Sequence, residues 1–82
     1  MYYVYLLKSI KFTRKYIGCT SDLKERFQKH NKGSIESIKK FKPWKLIYYE
    51  AYESKYDAFN REKRLKSDYT EKRHLLSRLS DN

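Results

Sequence analysis

Tyr2-Tyr3-Val4-Tyr5-Leu6-Leu7 is the longest apolar run in the chain. Its aromatic and branched residues favour a strand. A strand with one wet face would alternate apolar and polar residues, and this one does not, so it reads as covered on both faces. At 82 residues the chain has room for one small hydrophobic core system. Residues 1–82 are therefore expected to form a single domain. Six apolar residues fall far short of the roughly 20 that a spanning helix needs, and their flanks do not suit an export signal. The expectation is a cytoplasmic protein with no membrane partner.

Lys8 to Lys15 is polar apart from Ile10 and Phe12 and reads as a hairpin loop. Tyr16-Ile17-Gly18-Cys19 reads as the second strand, where Gly18 marks a bulge or a close approach of backbone or ligand. Facing residues in an antiparallel pair keep a constant sum of their numbers. Tyr5 and Tyr16 share a face only if that sum is odd, and the sequence leaves this open.

Thr20-Ser21-Asp22 offers helix caps, and Asp22 with Glu25 fits a capping box. The helix is predicted to run to about His30 or Asn31 and to stop at Asn31-Lys32-Gly33. At helical spacing Leu23, Arg26, Phe27 and His30 share one arc about 100° wide. Arg26 and His30 thus border the stripe that faces the core, one turn apart. Ser34 to Pro43 reads as a loop that leads, with Lys45, through the basic run Lys39, Lys40, Lys42 and Lys45. Phe41 and Trp44 are interleaved there. Trp44 to about Glu53 is the third strand. Ser54-x-x-Asp57 starts a second helix, in which Ala58, Glu62, Leu65 and Tyr69 form a stripe with one acid inside it. Thr70 is expected to cap a last short helix that buries Leu75, Leu76 and Leu79.

The element order is ββαβαα. Helices this few cannot cover a parallel sheet, so the fold class is α+β, with a small three-stranded, mainly antiparallel sheet flanked by helices. The formal net charge of +10 points to a polyanionic partner. Cys19 is the only cysteine, which excludes an internal disulfide and argues against a cysteine zinc site.

Tyr3-Val4-Tyr5, Tyr16-Ile17-Gly18, Arg26, His30 and Glu62, in that order, resemble the GIY-YIG nuclease family. The likeness is greatest to small standalone members related to the N-terminal domain of one component of the bacterial excision-repair nuclease. Asp22-Leu23, His30-Asn31, Pro43-Trp44-Lys45-Leu46 and Arg61-Glu62-Lys63 support it, over about residues 2–67. Tyr3 stands where the family name has its first glycine. No counterpart is found for the downstream asparagine of larger members, and the segment after Ser67 departs from the family pattern.

The resemblance implies an endonuclease that hydrolyses phosphodiester bonds, in DNA more than RNA, with repair or recombination as its setting. It implies that Glu62 holds one divalent cation, Mg or Mn, and that Arg26 grips the scissile phosphate. Tyr5 would take the proton of the attacking water, with Tyr16 and His30 orienting or relaying it. A phenol with an ordinary pKa of about 10 is a poor base unless cations favour the phenolate. Lys39, Lys40, Lys42 and Lys45 would contact the nucleic-acid backbone, with Phe41 available to stack on an unpaired base, while Trp44, starting a strand beside Pro43, is expected in the core rather than on a base. A targeting partner protein is left open. Each residue also has a plainer reading: packing tyrosines, a surface arginine, a helix-end histidine, an ion-paired glutamate, a solvated lysine loop. The competing functions are a non-catalytic nucleic-acid-binding module and a basic RNA- or ribosome-associated protein.

Overall fold

The computed structural model describes residues 1–33 and 39–79. In chain order it contains β1 (Tyr2–Ser9), β2 (Lys15–Thr20), α1 (Leu23–Lys32), a short 3-10 turn (Lys39–Phe41), β3 (Trp44–Tyr52), α2 (Lys55–Ser67) and α3 (Tyr69–Arg78). The three strands form one antiparallel sheet in the order β2-β1-β3. The apolar run is therefore the central strand, and it is covered on both faces as its composition requires. Val4 and Leu6 face one way and pack with Ile17, Ala58, Leu65 and Leu75 under α2 and α3. Tyr5 and Leu7 face the other way and pack with Trp44, Leu23 and Phe27 under α1.

The β1–β2 register pairs Tyr5 with Gly18 and Leu7 with Tyr16. The sum is odd, so Tyr5 and Tyr16 share a face. Gly18 is not a bulge: the sheet's irregularity lies between Leu6 and Leu7 against β3. The strands also take Lys8 and Lys15, shortening the expected loop.

Asp22 caps α1 by accepting from the Glu25 N–H at 3.0 Å, and Gly33 ends the helix with φ 75°. Ser54 caps α2. α3 is capped by Asp68 rather than Thr70, because one Asp68 carboxylate oxygen accepts from both the Thr70 and Glu71 N–H groups. Tyr69 accordingly leaves the α2 stripe and sits exposed at the start of α3. Leu75 is buried, while Leu76 and Leu79 cover the same core from its margin.

One polar cluster fixes α2 against the sheet. Glu50 on β3 accepts from Arg61 Nε at 2.9 Å and Arg61 Nη2 at 3.1 Å. It also accepts from the Tyr48 and Tyr52 hydroxyls, both at 2.5 Å. Burial opposes the Glu50 charge most strongly, but these donors outweigh it and hold the carboxyl below the usual range. Because Arg61 is clamped, the next residue, Glu62, has a set position.

Candidate active site

Tyr5 is fully buried, and its Oη lies 2.9 Å from His30 Nε2. Gly18 explains how the ring fits. A Cβ built on Gly18 would stand 2.3 Å from Tyr5 Oη and 2.4 Å from Cζ. The close approach expected at this glycine is thus made by a tyrosine of the neighbouring strand. Tyr16 completes the group, with ring centroids 6.3 Å from Tyr5 and 4.8 Å from His30.

His30 is sealed: it has no exposure, and its Nδ1 has no hydrogen-bond partner among the described residues. An imidazolium would need acceptors for two N–H groups and has one in reach. Burial and then the Arg26 charge push its pKa down to about 4. The neutral ring therefore either accepts from the Tyr5 hydroxyl or donates to it. Burial also pushes the Tyr5 phenol well up, with Tyr16 and Glu62 adding and Arg26 opposing. At rest the pair is neutral.

This has a consequence for stability. The unfolded chain binds a proton at His30 near the ordinary 6.5, the folded chain only near 4. Between those values unfolding takes up a proton, so stability is fully present above about pH 6.5 and is lost as pH falls toward 4. The loss is expected to be on the order of 3 kcal/mol. Urea midpoints measured from pH 7 to 5 should fall in the native protein and stay nearly level in His30→Gln. Parallel curves would place the sensitivity elsewhere.

Arg26 and Glu62 come from helices on opposite faces of the sheet and meet past its β2 edge. They line one open cleft of about 320 Å³, with Tyr2, Cys19, Lys55 and Phe59 among the other walls. Arg26 is half-buried and pairs with no carboxylate of the described residues. The Glu62 side chain is 16% exposed, and its Oε2 lies 3.0 Å from Lys66 Nζ. That ammonium also stands 5.8 Å from the Tyr16 ring centroid. Glu62 is thus both ion-paired, as the plain reading had it, and turned to a cleft that holds Arg26. Cys19 contributes a wall, and burial pushes its thiol pKa up, which makes it a poor nucleophile.

The geometry also places the lysine run, which lies away from the cleft. Ser9 pairs with Trp44 and Lys8 with Lys45, whereas the cleft adjoins Tyr2 and Thr20 at the other end of β1. Lys39, Lys40, Lys42 and Lys45 are exposed there, roughly 20 Å away along the strand. The part of the expected loop at 34–38 lies outside the described residues. Of the two rings interleaved with these lysines, Trp44 is in the core as expected, and Phe41 is approached by two cations. The Arg14 guanidinium and the Lys40 ammonium stand over the Phe41 ring, 4.9 Å and 5.1 Å from its centroid. Trp44 is buried, and the Asn31 side chain clamps its backbone N–H and C=O.

Lys55, Phe59 and Lys66 were not singled out from the sequence. Helical spacing held a signal for two of them: Phe59 lies three residues before Glu62 and Lys66 four after it. Lys55 had none.

The family chemistry implies a divalent cation. The described residues contain no group of three histidine, cysteine, aspartate or glutamate side chains able to hold a metal. They do offer one cleft-facing carboxylate beside an arginine. Magnesium-like ions commonly keep several waters and take one or two carboxylates plus substrate phosphates. Glu62 fits that kind of site, in which substrate completes the ligand set.

Comparison with known proteins follows the same line. The family model described as the GIY-YIG catalytic domain matches residues 1–74, past the Ser67 limit expected above. A UPF0213 protein of Streptococcus pyogenes serotype M3 is 35% identical over 74 residues, 89% of this chain and 79% of that one. A UPF0213 protein of Clostridium perfringens is 40% identical over 63 residues, 76% of this chain and 67% of its own. The solution NMR structure of the UPF0213 protein BH0048 from Bacillus halodurans is 30% identical, with a TM-score of 0.58. That match covers 94% of this chain and 84% of the other.

Proposed function

We propose that this chain, which belongs to the GIY-YIG catalytic-domain family, is a divalent-metal-dependent endonuclease with DNA as its preferred substrate over RNA. The family is one of nucleases. The observation that carries the reading is the convergence of Arg26 and Glu62, from two helices, in one cleft. A binding module would have no need for a carboxylate facing the place where phosphate must lie.

The roles follow from the chemistry of each group. Arg26 presents a planar, permanently charged fork to the scissile phosphate. Glu62 holds Mg or Mn. When bound, the cation supplies positive charge to the phosphate oxygens and cancels the Glu62 charge that opposes a phenolate at Tyr5. Tyr5 Oη takes the proton of the attacking water, with Tyr16 and His30 orienting or relaying it. Lys39, Lys40, Lys42 and Lys45 grip the backbone about six base-pair steps from the cut. Repair or recombination is a setting that fits such a chain, with a partner protein directing it to its target.

The test is a cleavage assay on supercoiled, linear, single-stranded and branched DNA and on RNA, with magnesium, manganese or chelator. Arg26→Ala is run beside the native protein. Its cleavage rate should fall by about 100-fold or more, against a loss of a fewfold in binding measured in chelator. Arg26→Lys should restore little, because a point charge lacks the fork. Equal losses in rate and binding would reduce Arg26 to an ordinary backbone contact.

A further inference from the structure

We infer that the exposed rings of Phe59 and Tyr56 form a stacking platform for an unpaired nucleobase beside the scissile phosphate. This inference rests on the reading of the Arg26–Glu62 cleft as a phosphodiester site, and it narrows the substrate to nucleic acid with single-stranded character at the cut.

Phe59 is 57% exposed and Tyr56 is 72% exposed. They lie three residues apart on α2, so they are neighbours on its surface. Among the described residues no ring stacks on either one. With Lys55 they line a shallow depression of about 370 Å³ whose walls are almost wholly apolar. Phe59 and Lys55 also line the cleft that contains Arg26 and Glu62. The platform and the cleft are therefore one continuous surface.

The groups brought together there suit a nucleotide. Arg26 offers a cation to a phosphate, and Lys55, which pairs with no described carboxylate, lines both the cleft and the depression. Phe59 lines both as well, and Tyr56 extends the apolar surface beyond the cleft, where an unpaired base attached to that phosphate has a ring to stack on. A base stacks on any aromatic face, so such a platform favours unpaired bases over duplex without reading sequence. In a duplex the base stays in its own stack and the platform has nothing to bind. Other exposed aromatics are placed differently: Tyr49 already packs edge-on against Tyr3, and Tyr69 lies on α3, away from the cleft.

The experiment measures binding in chelator, so that no cutting takes place. The probes are a fluorescein-labelled oligothymidylate, the same strand with abasic sites in place of its bases, and a duplex of equal length. The variants are Phe59→Ala, Tyr56→Ala and the double substitution, all at exposed positions that leave the cores intact. The double variant should lose about tenfold in affinity for oligothymidylate and less than twofold for duplex and abasic strand. The native protein should show the same tenfold gap between oligothymidylate and abasic strand, and the variant should not. Equal affinities of native and double variant for oligothymidylate would overturn the platform. So would equal losses on all three probes, or a change in oligomeric state by light scattering, which would make the patch a contact between copies. Failure here leaves metal-dependent cleavage unaffected, whereas failure of the nuclease reading would appear as no cleavage with the base preference intact.

Discussion

Glu62→Ala is expected to lose metal-dependent cleavage by about 1,000-fold or more while its binding to DNA in chelator stays equal or rises slightly. Two features of the cleft give the two halves of that expectation. Glu62 is the only carboxylate among the described residues that line it. Without it, the cation has no protein ligand there, and the remaining positive groups cannot replace the charge that a divalent ion brings to phosphate. Binding follows the opposite logic. Glu62 places a negative charge beside Arg26 and holds Lys66 in an ion pair at 3.0 Å. Its removal frees that ammonium and leaves Arg26, Lys55 and Lys66 without a local counter-charge. Phosphate then meets a more positive surface. Folding should be little changed, since the pair is half-exposed on the Lys66 side and such pairs contribute little. Cleavage rates in magnesium and manganese, with anisotropy in chelator, separate the two effects. A variant that cuts within a fewfold of the native rate would show that Glu62 does not hold the ion. Joint loss of cutting and binding in a normally folded variant would show that it acts on the nucleic acid itself.

Much of the architecture could be read locally. The unbroken apolar run from Tyr2 to Leu7 announced a strand covered on both faces. Asp22 with Glu25, and Gly33, marked the two ends of α1 because capping is decided within one turn of chain. The site was legible as a set of residues but not as an arrangement. Arg26 and His30 share an arc of α1, yet one reaches the cleft and the other is sealed beneath it. An arc gives direction, while depth depends on what packs above it. How far the lysines at 39 to 45 lie from the site was not legible, because no local signal reports sheet register. Pairing of Lys8 with Lys45 carries them to the far end of β1. Glu62 looked isolated within an apolar stripe. Its link to Lys66, and the Arg61–Glu50 clamp beside it, depend on which way side chains turn once α2 lies on the sheet.

Gly18→Ala should damage the site from a position that contacts no substrate. Its Cβ would meet Tyr5 Oη, Cζ and Cε1 at 2.3, 2.4 and 2.9 Å. Flexible side-chain ends often yield to such a contact. Here the end is a ring with 1% exposure, packed against His30 and Tyr16 and hydrogen-bonded at 2.9 Å. The ring must move, and the bond to His30 breaks when it does. Overpacking of this kind costs about 1–3 kcal/mol. Leaving the buried His30 ring without its one partner adds about 1–3 kcal/mol. Cleavage should fall by about 100-fold or more, because the proton acceptor of the proposed mechanism has left its place. Tyr5→Phe provides the comparison: it keeps the ring, removes only Oη, and should lose a similar share of the rate with the smaller loss of stability. A double-substitution cycle identifies the cause. Leucine has none of the three ring atoms that the new Cβ would strike. In a Tyr5→Leu background Gly18→Ala should therefore change stability by less than about 0.5 kcal/mol, and the coupling between the positions should equal most of the cost seen in the native chain. If Gly18→Ala costs the same in both backgrounds, the glycine is required by the strand and not by Tyr5. If it costs nothing in the native chain, the Tyr5 ring has room to move, and its fixed place over β2 cannot be what orients the hydroxyl.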